Sequence, residues 1–196
     1  SLSIEFSLKE ALNTRALWIL SIGTAILYLF HSGINSHQAS FLQERGISLG
    51  LSSVVISINA ISTGLGSVCW GYICDKFSIR FAFSSVFICT LFAILGLIYT
   101  HDINMAIFSS ILFGSAMGGM LTVPSVAYAT FYGTNSIGRI RGFANPLSTI
   151  GSASGVMVSG VIFDIYNSYV LAFWFFFVVS IVMLIISTFL RNPNNN

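Results

Sequence analysis

Charged side chains occur between the apolar stretches of this chain as short clusters. The clusters are Glu44-Arg45, Asp75-Lys76 with Arg80, His101-Asp102, Arg139 with Arg141, Asp164, and Arg191. Between them run six segments, about 16–41, 49–74, 81–100, 103–131, 142–163 and 169–190. A helix rises about 1.5 Å per residue, so about 20 apolar residues cross a hydrocarbon core about 30 Å thick. Every segment reaches that length. Charged residues are 7% of the chain, against roughly 25% in soluble domains. The expected fold is all-α, a polytopic bundle of six transmembrane helices.

Charge also orients the bundle. With both termini in the cytoplasm, Lys9, Arg15, Lys76, Arg80, Arg139, Arg141 and Arg191 lie inside and only Arg45 lies outside. That asymmetry satisfies the positive-inside rule, and the opposite orientation violates it. The expected location is an integral position in the cytoplasmic membrane. A net charge of +2 gives no reason to expect nucleic acid as a partner. Cys69, Cys74 and Cys89 have neither metal-site nor disulfide spacing, and read as small buried residues. Residues 1–15 read as a cytoplasmic linker. In it, Ser7 and Glu10 form a capping box that starts either an interfacial helix or the first span. Residues 192–196 read as a cytoplasmic tail. The chain begins at Ser1 without an initiator Met, and reads as a piece of a longer protein.

The spans differ in kind. The third and sixth are almost purely aliphatic and aromatic, as suits helices facing lipid on most sides. The other four carry amides, hydroxyls, glycines and His, which need protein or water beside them. The order is two mixed spans and one apolar span, then the same again. Gly71-Tyr72-Ile73-Cys74-Asp75 closes the second span, and Gly160-Val161-Ile162-Phe163-Asp164 closes the fifth. Ala39-Ser40-Phe41 and Ala129-Thr130-Phe131 end the first and fourth. Three spans per unit is odd, so the second unit must be inverted in the membrane, an architecture known among transporters.

Gly71-x-x-x-Asp75-Lys76-x-x-x-Arg80 resembles the Gly-x-x-x-Asp-(Arg/Lys)-x-Gly-(Arg/Lys)-(Arg/Lys) loop of the major facilitator superfamily. Ser78 stands at the family's Gly and Ile79 at one of its basic positions. Gly138-Arg139-Ile140-Arg141-Gly142, the glycine-rich fifth span, and Asp164 with Asn167-Ser168-Tyr169 resemble the carboxyl half of the monocarboxylate-transporter and oxalate/formate-antiporter branch. The resemblance covers essentially the whole chain. It implies half of a twelve-helix carrier, with a missing amino-terminal half, or a second copy, as partner. It also implies that Asp75, Lys76 and Arg80, with Gly71, latch a cytoplasmic gate.

Cavity candidates follow from helical spacing. His31, Asn35 and Gln38 share a face of the first span, with Tyr28 nearby. On the second span Asn59 and Thr63 join Ser52 and Gly66. On the fifth, Asn145, Ser148, Thr149 and Ser152 form a stripe. His31 is the one ionisable group well inside a span; it donates to a solute, carries a coupling proton, or bonds a neighbouring helix. Gly114 with Gly118, and Gly151 with Gly155, are small-residue ridges for close helix packing or sliding. The first, second, fourth and fifth spans should line the path, with the third and sixth outside. With the fifth span starting at 142, no Lys or Arg falls inside any span, which counts against an anionic solute. No catalytic triad, zinc motif or phosphate loop is visible, so no enzyme, cofactor or metal is expected. The expected activity is secondary transport of a small organic solute by alternating access, a carboxylate among the candidates. A six-helix channel subunit or a non-transporting membrane protein is the alternative.

Overall fold

The computed structural model describes residues 6–195, which contain helices and no strand. A short helix, α1 (Leu8–Leu12), precedes α2 (Arg15–Glu44), α3 (Leu49–Lys76), α4 (Ile79–Ile98), α5 (Ile103–Tyr132), α6 (Ile137–Tyr166) and α7 (Val170–Ser187). The six helices α2–α7 are each long and apolar enough to span a bilayer. Of the linker expected over 1–15, residues 1–5 fall outside the described residues, as does Asn196 of the tail.

Polar caps set where the helices begin. The side chains of Thr14, Ser48, Ser78 and Asp102 accept the backbone N–H of Leu17, Leu51, Phe81 and Met105. Each satisfies a donor that has no partner inside its own helix. The capping box of α1 closes both ways: Ser7 N–H donates to Glu10 at 2.7 Å, and Ser7 Oγ accepts from Glu10 N–H at 3.3 Å. Bonds from the Ser7 hydroxyl and amide hold the Glu10 carboxyl below the usual carboxylate range. The chain breaks at Asn13 and restarts at Thr14, so α1 is a separate turn beneath the first span. Gly133, at φ +80°, takes the chain out of α5 in a left-handed conformation that suits glycine.

Two interfaces dominate the packing: α3 against α5, and α2 against α6. Exchanging the first three spans with the last three turns one pair into the other, as two inverted three-helix repeats require. Glycines permit both interfaces. A Cβ at Gly151 or Gly155 would run into the carbonyls of Ala25 and Leu29 on α2. On the other interface, Gly114 and Gly118 face the α3 backbone around Asn59 and Thr63, and Gly66 faces Ser115. Without a hydrophobic force between helices in lipid, such close backbone approach is what drives association.

α4 and α7 lie behind these pairs and pack on one another, with Ser84 Oγ and Ser187 Oγ 2.7 Å apart. α4 also packs extensively on α5, and its Phe83, Val86, Phe87, Ile94 and Leu97 are buried. It is therefore less lipid-facing than its composition implies. Hydropathy cannot separate a protein contact from a lipid contact, because both are apolar. The least covered spans are α3 and α6.

Both described chain ends meet the end of α5. Phe6 N–H donates to the Tyr132 carbonyl at 3.2 Å, and Asn194 Nδ2 donates to the Phe131 carbonyl at 3.1 Å. This end of the bundle is its terminal face. Chain direction places seven of the eight basic residues on it and leaves Arg45 on the far face.

Candidate functional site

A groove of about 460 Å³ opens between α2, α5 and α6 in the half of the bundle nearer the terminal face. From α2 come Thr24 and Tyr28. From α6 come Arg141, Asn145, Ser148, Thr149 and Ser152, and from α5 come Met120, Pro124, Ser125 and Tyr128. Both repeats thus contribute walls. Proline has no N–H, so Pro124 leaves the Met120 carbonyl without its helical donor and free to accept a bond. The buried Thr24 hydroxyl has no hydrogen-bond partner among the described residues. Tyr128 OH and Ser21 Oγ lie 3.0 Å apart, and Ser32 Oγ meets Ser152 Oγ at 2.6 Å, tying α2 to α6 at the inner end of the groove.

The polar residues of α2 share one helix face but separate by depth. Tyr28 opens into the groove. His31, Asn35 and Gln38 lie deeper, where α3 and α5 close over them. Asn59 Nδ2 donates to Asn35 Oδ1 at 3.0 Å and to Gln38 Oε1 at 3.2 Å, and Gln38 Nε2 donates to Ser110 Oγ at 2.9 Å. Asn35 Nδ2 points at Met117 Sδ, 3.5 Å away. This amide cluster joins three helices in the half remote from the terminal face. His31 is 1% exposed, and its ring lies 4.4 Å from that of Phe113. Neither of its ring nitrogens has a hydrogen-bond partner among the described residues. Of its three expected roles, a bond to a neighbouring helix is not formed. Thr63 donates to the Asn59 carbonyl of its own helix and does not reach the groove.

Arg141 lies outside the apolar run that starts at 142 yet within α6, and it lines the groove. α6 begins at Ile137, five residues before the apolar run. A charge ends a hydrophobic stretch but does not end a helix, which continues into the headgroup region. Arg141, Asn145, Ser148 and Ser152 are spaced by four, three and four residues, so they share a face. That spacing was available in the sequence and places the guanidinium in the groove wall. Ser110, the partner of Gln38, gave no comparable signal. At the α3–α4 turn, Asp75, Lys76 and Arg80 are exposed, with Gly71 partly covered. The Lys76 ammonium sits 5.7 Å from the centre of the Tyr72 ring.

Six spans packed as two inverted threes, with a polar groove between the repeats, define a carrier-type membrane bundle. A sequence model of the Major Facilitator Superfamily matches residues 13–196, and the chain belongs to that superfamily of membrane transporters. No curated protein matches the chain.

Proposed function

We propose that this chain forms one half of a secondary active transporter that moves a small organic solute, a carboxylate by preference, by alternating access. The observation that carries the reading is the groove: polar groups from both repeats line it, and it lies in the half of the bundle nearer the terminal face. At the opposite face the amide cluster of Asn35, Gln38 and Asn59 draws the helices together. Arg141 supports an anionic solute, because a guanidinium pairs with a carboxylate in bidentate fashion. This accords with the resemblance to the monocarboxylate and oxalate/formate branch.

Tyr28, Asn145, Ser148, Thr149 and Ser152 are the proposed solute contacts. The amide cluster and His31 act one layer deeper, as the support for that wall. The uncovered flanks of α3 and α6, with Leu65, Val68, Met157 and Ile165 exposed, supply the surface for an opposing six-helix half or a second copy. The Asp75 loop is proposed to latch that pairing on the terminal face. The basic bias of that face supports placing it in the cytoplasm.

Uptake of radiolabelled small carboxylates into proteoliposomes tests the reading. A carrier saturates and is accelerated by unlabelled solute trapped inside; a pore shows neither. Arg141→Gln should raise the half-saturation concentration for an anion more than for a neutral analogue. Uptake that does not saturate and ignores trapped solute contradicts the proposal.

A further inference from the structure

A second charged hollow lies on the terminal face, away from the groove. It measures about 610 Å³, and Ser78, Arg80, Thr130, Arg191 and Asn192 supply its polar lining. Its two arginines are remote in sequence: one starts α4, the other follows the end of α7. Phe77, Ser78 and Arg80 also line an adjoining hollow of about 540 Å³, whose other walls are Phe81, Ser84 and Thr188. This neighbour runs along the α4–α7 seam, and Phe81 is half exposed beside it. Arg80 thus stands between a cationic, hydroxyl-bearing chamber and a mostly apolar furrow.

That pairing matches one ligand chemistry. A phosphate diester carries the anion that two guanidiniums recognise, and an attached acyl chain fills the furrow. Position agrees, since an arginine at a helix end of this basic face sits at headgroup depth, with hydrocarbon beside it. Asp75 and Lys76, on the last turn of α3, line neither hollow. Their charges cancel, so the arginines decide the sign. Scattered interfacial arginines would serve orientation alone. Here, two from distant segments line one chamber, and that chamber shares Phe77, Ser78 and Arg80 with the furrow.

We propose that an anionic phospholipid binds here, its phosphate between Arg80 and Arg191 and one acyl chain along the α4–α7 seam. The site rests on the six-span bundle and not on which solute is carried. It ties the α3–α4 turn to the segment after α7, so an occupied site holds that corner of the face together.

Native mass spectrometry of the purified protein, equilibrated with dioleoylphosphatidylglycerol against dioleoylphosphatidylcholine, reads the site. A juxtamembrane arginine contributes about fivefold to anionic-lipid affinity, so Arg80→Gln with Arg191→Gln should lower phosphatidylglycerol retention on the order of 25-fold. Arg139→Gln, on the same face but outside the chamber, should retain the lipid as the unaltered protein does. Arg191→Gln lies beyond the last span and spares the helices, so its fivefold loss stands as the test if the double variant fails to fold. Asp75→Asn should not weaken retention, which separates this site from the proposed gate latch. Equal retention by the arginine variants and the unaltered protein overturns the proposal. So does displacement of the lipid by excess inorganic phosphate, which would make the chamber a site for soluble phosphate.

Discussion

The same substitution, made at two glycines of one helix, should change stability in opposite directions. At Gly155 an added Cβ meets the Leu29 carbonyl, and from the other side Gly33 would place its own Cβ 2.8 Å from the Gly155 carbonyl. These obstacles are backbone atoms, so no side chain can swing aside; α2 and α6 must separate. Overpacking of this kind costs about 1–3 kcal/mol. Replacing a helical glycine by alanine returns up to about 1 kcal/mol in propensity. Gly155→Ala should therefore destabilise by roughly 1–2 kcal/mol. At Gly160 nothing lies within 4 Å of the added atom, so only the propensity gain remains. Gly160→Ala should be neutral or stabilising by up to about 1 kcal/mol. Reversible denaturation in mixed micelles, followed by circular dichroism, gives both values. A Gly155→Ala protein as stable as Gly160→Ala would refute the claim that α2 and α6 touch through their backbones.

Other outcomes follow from the amide cluster and the gate loop. Asn59→Leu removes two interhelical hydrogen bonds, to Asn35 and Gln38, and should cost about 1 kcal/mol at roughly 0.6 kcal/mol each. Gln38→Leu in the same background should then cost less than it does alone, and full additivity in a double-mutant cycle would deny the coupling. Asp75→Asn should slow solute uptake in proteoliposomes while leaving insertion and melting unchanged; an unaltered rate would remove Asp75 from the gate.

The spans were legible because hydrocarbon imposes a minimum length and tolerates few charges, and both leave marks in sequence. Faces were legible too. The stripe of Tyr28, His31, Asn35 and Gln38 on α2 follows from helical period alone. Depth was not: Tyr28 and Gln38 lie about 15 Å apart along the axis, at 1.5 Å per residue, and only the neighbours decide which end opens. Those neighbours are tertiary facts, set by glycines that allow α6 to approach α2 and α5 to approach α3. The start of α6 was obscured because the apolar run and the helix begin at different residues, which hid Arg141. α4 looked lipid-facing for a related reason, since phenylalanines buried against other helices, as Phe83 and Phe87 are, are as apolar as those that meet acyl chains.

Water along the groove is what a carrier of this design requires. Nitroxide labels at Ser148→Cys and Thr149→Cys, with Val178→Cys on the outer flank of α7 as reference, report it in the reconstituted protein by collision with a water-soluble nickel chelate or with oxygen. The two α6 labels should favour the nickel chelate, and the label at 178 should favour oxygen. Oxygen-dominated signals at all three positions would mean that lipid lines α6, and that the groove is no path for a solute.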